Sequence, residues 1–385
     1  MNNIVYIENS RLPTPKAHGT QIFNTSQELS IVCSKMGIGF ELIIPKRDLL
    51  GIGTIFGYYN GNEIEKFKIT EFSTIDLGDG SWIKFWVSRI QFLVKALFYV
   101  LLNYSTKSTI IYTRDAFLGI FLGFFYTNIF YEAHGVNKDF FSKMIFKKAK
   151  GIVSITQGII EEVKIGFSNQ KFLLAPDGVS SIFFNILESK NVLRKKFGLS
   201  SEKMYITYIG SFGYYDWKGL DVFLDSQKHI NNNDVIYLIV GGHGNVIDQY
   251  RKNYGNENIV FVGGKKSNEI PKWQKVSDVL VIPNKKGNIV SEKYTSPLKL
   301  FEYMASGVPI VASDLPSLRE ILNEENSTFF EPNNSIDLSV KLKKLLRENN
   351  ENSLKKAERA LNDVQEYTYE RRAKKIFDFV INLSK

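Results

Sequence analysis

The sequence predicts an α/β protein built from two doubly wound domains, and three observations carry that prediction. Short, continuously apolar segments alternate with helix-length segments, as in parallel sheets covered on both faces. The alternation restarts once, near Lys203. At about one domain per 100–200 residues, the 385-residue chain has the length for two cores and is too long for a single small binding module.

In the first half, NIVYIE (3–8) reads as a buried strand. It is followed by the Pro/Gly loop RLPTPKAHGT, a helix over residues 20–36 and the strand FELIIP (40–45). Further strands are read at TIIYT (109–113), NIFYEA (128–133), GIVSIT (151–156) and KFLLAP (171–176). The second half repeats the pattern with MYITYIGS (204–211), VIYLIVGG (235–242), NIVFVGG (258–264), DVLVIP (278–283) and VPIVAS (308–313). A polar, less periodic stretch over residues 185–202 joins the halves, and the polar run RENNENS (347–353) precedes a last basic helix read at 354–384. Sheets of this kind bind ligands at the carboxyl ends of their strands, so two of them are expected to place one cleft between domains.

Hydrophobic residues at 44% and charged residues at 23% match globular averages and exclude general disorder and fibrous architectures. One cysteine, Cys33, excludes an internal disulfide and a Cys-based zinc site, so a reducing, cytosolic compartment is expected. The opening MNNIVYIENSRL has no basic region before a long apolar run, and no secretory signal is read there. The uncharged runs 96–106 and 116–131 fall short of the roughly 20 residues that span a bilayer, and no transmembrane helix is read.

The formal net charge of +9 favours anionic partners. Residues 80–114 contain no acidic side chain, while Lys84, Arg89, Lys95, Lys107 and Arg114 are interleaved with Trp82, Phe85, Trp86, Phe92 and Phe98. A second basic and aromatic stretch is KDFFSKMIFKKAK (138–150). No nucleic-acid module accompanies them, so no nucleic acid partner is expected. The stretches suggest that the first domain docks on an anionic membrane; the plainer reading makes Phe85, Phe92 and Phe98 helix core and leaves the lysines in solvent.

The segment YTSPLKLFEYMASGVPIVASD (294–314) is the most informative. Ser296 as N-cap with Pro297 in the first turn predicts a helix ending at Gly307. Free N–H groups at Leu298 and Lys299, with the Lys299 ammonium, make an anion site suited to a diphosphate. Glu302, one turn after Leu298, shares its face and can accept from ribose hydroxyls; the local alternative is a capped helix with Glu302 at the surface. In YIGSFGYYDWKGLDVF (208–223), Lys218 arrives at a second helix start. Gly19, in KAHGTQIFN, follows the first strand, but the three-glycine dinucleotide spacing is absent and a nicotinamide enzyme is disfavoured. His134, in YEAHG (131–135), stands at a strand's carboxyl end. No His/Asp/Glu cluster has metal-ligand spacing, so neither a metal nor another cofactor is expected.

The run SPLKLFEYMASGVPIVAS resembles the signature helix of retaining nucleotide-sugar glycosyltransferases of family 4, which have the GT-B fold, two Rossmann-like domains facing across a cleft. The resemblance implies a first, acceptor-side domain over residues 1–190 and a nucleotide-sugar-binding domain over 191–365. Residues 366–385 look like the family's carboxyl-terminal crossover helix. It gives Glu302 the ribose, Lys218, Lys299 and the amides at Leu298 and Lys299 the diphosphate, and His134 a contact with the donor sugar. Ser296 belongs to the same helix start, and Gly19 lies in the family's small-residue loop near the donor phosphate.

Two positions depart from the pattern: Tyr294 stands where the family has the first motif glutamate, with Glu292 two residues upstream, and Ser211 stands where it has an arginine. The activity implied is sugar transfer, with retention, from a nucleoside diphosphate donor (UDP or GDP) to a glycan or lipid-linked acceptor in bacterial surface polysaccharide assembly, such as LPS, O-antigen or capsule. The expected location is the inner face of the cell membrane. A sugar-nucleotide epimerase or phosphorylase of the same fold, and a catalytically silent sugar-nucleotide-binding partner, are the alternatives.

Overall fold

A computed structural model describes residues 1–46, 54–59, 61, 67–75, 82–347 and 351–385. The chain divides into two compact units, Met1–Asp177 with Tyr369–Lys385, and Gly178–Thr368. The first unit runs β1 (Asn3–Ile7), α1 (Ala17–Lys35), β2 (Gly39–Pro45), α2 (Ile55–Tyr59), β3 (Lys68–Phe72), α3 (Trp82–Asn103) and β4 (Thr109–Thr113). It continues through α4 (Ala116–Leu122), β5 (Ile129–Ala133), α5 (Phe140–Lys148), β6 (Gly151–Ser154), α6 (Gln157–Gly166) and β7 (Phe172–Leu174). The second unit runs α7 (Lys190–Lys196), β8 (Met204–Ile209), α8 (Leu220–Gln227), β9 (Val235–Val240), α9 (Gly244–Tyr254), β10 (Ile259–Gly263) and α10 (Ile270–Lys275). It ends with β11 (Val279–Ile282), α11 (Leu298–Ala305), β12 (Ile310–Ser313), α12 (Pro316–Arg319), β13 (Thr328–Phe330), α13 (Ser335–Arg347) and α14 (Glu351–Asp363). The last helix, α15 (Tyr369–Ser384), belongs to the first unit.

Among the described residues the first unit's sheet has the order β3-β2-β1-β4-β5-β6-β7 and the second's β10-β9-β8-β11-β12-β13, with every pairing parallel. Parallel strands buried on both faces cannot alternate apolar with polar, which is why their sequences are continuous apolar runs. In β11, Leu280 and Ile282 enter one core with Leu300, Phe301 and Met304 of α11, while Val279 and Val281 enter the opposite core with Phe223 of α8 and Leu338 of α13. The edge strands β3 and β13 escaped the sequence reading. KITEF carries Lys68 and Glu71 on an edge, and TFF is only three residues long.

The boundary expected at residue 190 lies at 177/178. Val179 N–H donates to Tyr367 O (2.9 Å), and Ile182, Phe183, Phe184 and Ile186 pack on the second unit's core, so residues 178–190 fold with that unit. The single helix expected at 354–384 is two, α14 and α15, separated by a 3-10 turn over Val364–Tyr367 and extended backbone at Thr368. Ala373, Ile376, Phe377 and Val380 of α15, spaced as one helical stripe, join the first unit's core with Ile22, Phe23 and Leu29 of α1.

Helix α3 bears on the membrane reading. By length and composition alone its 22 residues are long and apolar enough to cross a membrane. The expectation weighed only uncharged runs, and α3 is interrupted by Lys84, Arg89 and Lys95. Phe92, Leu93, Ala96 and Val100 are buried in the unit, whereas Phe85 and Phe98 lie exposed. Residues 80 and 81 of the basic aromatic stretch, and 348–350 of the polar run, lie outside the described residues.

Candidate active site

In the second unit the strand order reverses between β8 and β11, the position at which open α/β sheets bind ligands beyond the strands' carboxyl ends. Lys299 and Glu302 reach this edge on α11, which is tied to β8 through Tyr303: the Ile209 N–H donates to its hydroxyl (2.8 Å). Helix α11 begins at Leu298, with Pro297 in an extended conformation as its N-cap (φ −75°, ψ 128°) and no side-chain cap. The expected capping role of Ser296 therefore fails by one position, because Pro297 takes the non-helical cap conformation itself. Ser296 is buried just ahead of the helix, Leu298 is partly exposed in its first turn, and the free first-turn N–H groups follow from any helix start.

The Lys299 Nζ is shut off from solvent and has no hydrogen-bond partner among the described residues; it lies 4.0 Å from the centroid of the Tyr208 ring. Burial and the like charge of Lys218 push its pKa down to about 7, against the opposing pull of Glu302. Burial pushes the Glu302 carboxyl up to about 7, with Lys299 pulling the other way. Among the described residues Lys218 donates only to neutral oxygens, the Ser211 carbonyl (3.2 Å) and hydroxyl (2.6 Å), and burial lowers its pKa. Lys285 shows the contrast, since it sits between Asp216 (2.9 Å) and Asp221 (2.6 Å). The Lys218 and Lys299 ammonium groups lie near enough for one to feel the charge of the other, and among the described residues neither is paired with a carboxylate. An anion at this place would remove the conflict.

Two glycines shape the edge. Gly219, the αL N-cap of α8 (φ 68°), has the Pro283 carbonyl where a Cβ would sit, 1.8 Å away. Gly210 ends β8 in a left-handed conformation (φ 150°), and a Cβ there would lie 3.0 Å from Lys299 Nζ. The departing residues are also placed. Tyr294 is buried at the end of a π-helical turn, Val290–Tyr294, and Glu292 accepts from the Gly287 N–H (2.5 Å), which commits one of its oxygens to its own loop.

The first unit reverses strand order between β1 and β4, and the carboxyl ends there carry a second polar constellation. Glu8 follows β1, Arg114 follows β4, His134 follows β5, and Gln21 sits on α1. Glu132 is fully buried; its Oε1 lies 2.7 Å from Gln21 Nε2, 2.6 Å from His134 Nε2 and 2.9 Å from an Arg372 Nη, and its Oε2 accepts from the Tyr112 hydroxyl. Arg114 donates to Gln21. Burial would raise the Glu132 pKa, but Arg372 and the His134 hydrogen bond outweigh it and hold the carboxylate well below its usual range. Burial, with Arg114 beside it, pushes His134 down to about 4, and His18 goes the same way for the same reasons. Gly19 is buried, with Thr14 and Tyr59 each 2.4 Å from where its Cβ would stand, so its smallness lets the 8–16 loop close on α1.

Sequence reasoning missed Glu132, Arg372 and Tyr208 as parts of these sites. Glu132 carried a signal, a carboxylate inside the apolar strand IFYEA; Arg372, one of several cations in ERRAKK, carried none. Among the described residues no group of three or more His, Cys, Asp or Glu side chains gathers as a metal ion would require.

Both units, with their switch points and parallel sheets, define a GT-B fold. Solved structures agree over essentially the whole chain: sucrose-phosphate synthase from Thermosynechococcus elongatus (TM-score 0.78, 15% identity, 100% of this chain and 99% of that one), Anabaena HepE in complex with UDP (0.75, 12%, 99% and 100%) and WaaG, a glycosyltransferase involved in lipopolysaccharide biosynthesis (0.68, 12%, 98% and 99%). Residues 203–348, in the second unit, match the family model described as glycosyl transferases group 1. Curated relatives are similar over shorter spans. A putative teichuronic acid biosynthesis glycosyltransferase, TuaH, of Bacillus subtilis (strain 168) is 26% identical over 110 residues, 29% of this chain and 27% of the relative. An uncharacterized glycosyltransferase, MJ1607, of Methanocaldococcus jannaschii is 25% identical over 194 residues, 48% and 47%. The matches thus span about a quarter to a half of the length of these relatives.

Proposed function

We propose that the protein is a retaining glycosyltransferase that moves a sugar from a nucleoside diphosphate donor to a glycan or lipid-linked acceptor in surface polysaccharide assembly. The observation that carries this reading is the unpaired Lys299 ammonium beside Lys218 at the start of α11, with Glu302 one turn on. A diphosphate offers two or more negative charges to these cations and the helix-start amides, and the Glu302 carboxylate suits the ribose hydroxyls. The relatives support the chemistry, since HepE was solved with UDP and WaaG acts in lipopolysaccharide biosynthesis. In the step proposed, the bond from the anomeric carbon to the diphosphate oxygen breaks, the acceptor oxygen bonds to the same face, and its proton leaves on the departing diphosphate. Lys218 and Lys299 stabilise the charge that develops there, with no metal ion called for. His134 of the first unit is assigned a contact with the donor sugar. Calorimetric titration with UDP, GDP and ADP, with and without magnesium, tests the reading: selective, magnesium-independent binding of one nucleotide supports it, and binding of none overturns it. Turnover without an acceptor, or with free phosphate, would replace it by an epimerase or a phosphorylase.

We also propose that the first unit rests on an anionic membrane through α3, as a peripheral protein on the inner face of the cell membrane. Ile83, Val87, Ile90, Val94, Phe98 and Leu102 form an exposed stripe at helical spacing, with Leu102 83% and Trp82 76% exposed. Trp86 packs against the buried Phe117 and the partly exposed Phe141 (5.6 and 6.4 Å), Phe140 lies exposed beside them, and the adjoining α5 adds Lys143, Lys147 and Lys148 with no acidic residue within the helix. The exposed cations Lys84 and Lys95 of α3 and Lys143 and Lys147 of α5 beside an apolar face suit anionic lipid and oppose a second copy of the chain. Arg89 pairs with Asp115 (2.6 Å) and the buried face of α3 packs in the unit, which fits docking in the plane of the membrane over spanning it. Flotation of the protein with anionic but not neutral vesicles is expected; protein left at the bottom, or a dimer that hides α3, overturns the proposal.

A further inference from the structure

We propose that Arg372, on the carboxyl-terminal helix, is a positioning residue that acts through Glu132 to hold His134 as its Nε2–H tautomer, leaving Nδ1 bare to accept a hydrogen bond from a sugar hydroxyl. The last part rests on the proposed function; the tautomer does not.

The argument starts with the carboxylate. Glu132 is fully buried, and an ionised side chain survives there only if its oxygens are met by donors and an opposite charge. Arg372, 3% exposed, supplies the charge at 2.9 Å. Its Nε donates to the Pro176 carbonyl (3.0 Å) and its other Nη to the Thr25 hydroxyl (3.0 Å), and these two bonds hold the guanidinium in position and plane. A carboxylate held ionised in this way can only accept. Gln21 and Tyr112 donate to it, and so must the third neighbour, His134 Nε2, at 2.6 Å.

The imidazole is neutral near pH 7, since burial and Arg114 push its pKa down to about 4. A neutral ring carries one N–H, and that N–H is spent on Glu132, so Nδ1 keeps a lone pair. The side chain remains 25% exposed, enough for a ligand to reach the ring. His134 is therefore an acceptor toward a hydroxyl and not a donor toward an oxyanion. This choice is made by a residue that sits more than two hundred positions further along the chain.

The test reads the tautomer directly. Nitrogen NMR of the full-length protein labelled with 15N-histidine has four histidines to resolve, and His134→Gln identifies the relevant signal. A single Nε2–H form is expected for the native protein between pH 6 and about pH 8. In Arg372→Met, and in the charge-neutral pair Arg372→Met with Glu132→Gln, a mixture of tautomers is expected, with Arg372→Lys moving back toward the native form. The neutral pair keeps the test open if the single variant fails to fold, because it removes both members of the buried ion pair together. An Nδ1–H form in the native protein, or an unchanged single tautomer in the neutral pair, overturns the proposal. In the transfer assay the same variants are expected to lower kcat about 10-fold or more with donor KM nearly constant. If the tautomer behaves as stated but His134→Gln transfers sugar at the native rate, the assignment of His134 to the donor sugar fails and the positioning of the ring stands.

Discussion

The Lys299 ammonium lies 4.0 Å from the centroid of the Tyr208 ring, with no hydrogen-bond partner among the described residues. A ring face recovers part of what a desolvated ammonium loses, of the order of 2 kcal/mol, and the rest is left to a ligand. Lys299→Met should therefore stabilise the empty second unit while weakening nucleoside diphosphate binding about 10- to 100-fold. A melting temperature raised without ligand, together with a weaker Kd by calorimetry, checks both halves.

The same pair of residues gives a pH signature. Glu302 keeps its proton up to about pH 7 in the folded unit against an ordinary value of 4.5, so the folded state binds more protons in that window and stability falls as pH rises through it. Lys299 loses its proton near 7 when folded, against an ordinary 10.5, so the unfolded state binds more protons above 7 and stability rises with pH there. The unliganded unit is expected to be least stable near neutrality. A diphosphate favours the charged ammonium, so binding near pH 8 should take up protons. Calorimetry in buffers of different ionisation enthalpy measures the uptake, and Lys299→Met should abolish it.

Glu302→Ala removes the carboxylate assigned to the ribose. Nucleotide affinity should drop about 100-fold, a loss of about 2.7 kcal/mol, while inorganic diphosphate binding changes little. Equal losses for both ligands would place Glu302 near the phosphates instead.

Gly219→Ala meets the Pro283 carbonyl at 1.8 Å and forces a side chain onto φ 68°. The expected cost is roughly 2 kcal/mol or more, read in denaturant melts, and nucleotide binding should weaken with it because Lys218 is the preceding residue.

For α3, Val94→Glu with Phe98→Glu places two carboxylates on the exposed stripe, where no buried contact is lost. Flotation with anionic vesicles should disappear while nucleotide affinity stays within about 2-fold. Unchanged flotation would move the membrane contact off this helix.

Much of the architecture could be read from residues alone, because parallel strands buried on both faces must be apolar throughout. TIIYT became β4 without change, and VIYLIVGG, DVLVIP and MYITYIGS became β9, β11 and β8 with ends trimmed by one or two residues. The helix start with Lys299 and Glu302 was legible for a related reason, since proline, small polar residues and a following apolar stripe mark a helix locally. Packing settled the rest. Whether Lys299 has a partner depends on Tyr208, some ninety residues earlier in the chain, and whether α3 shows or hides its phenylalanines depends on which face meets the sheet. The clamp on His134 lies furthest from sequence reading. Glu132, Gln21, Tyr112 and Arg372 come from four separate elements, and no spacing along the chain records that they meet. Local chemistry therefore dictated the interior strands and, to within a residue, the helix start that carries Lys299 and Glu302. Only the fold decided which charges are paired and which nitrogen of His134 faces Glu132, because those follow from distances between residues far apart in sequence.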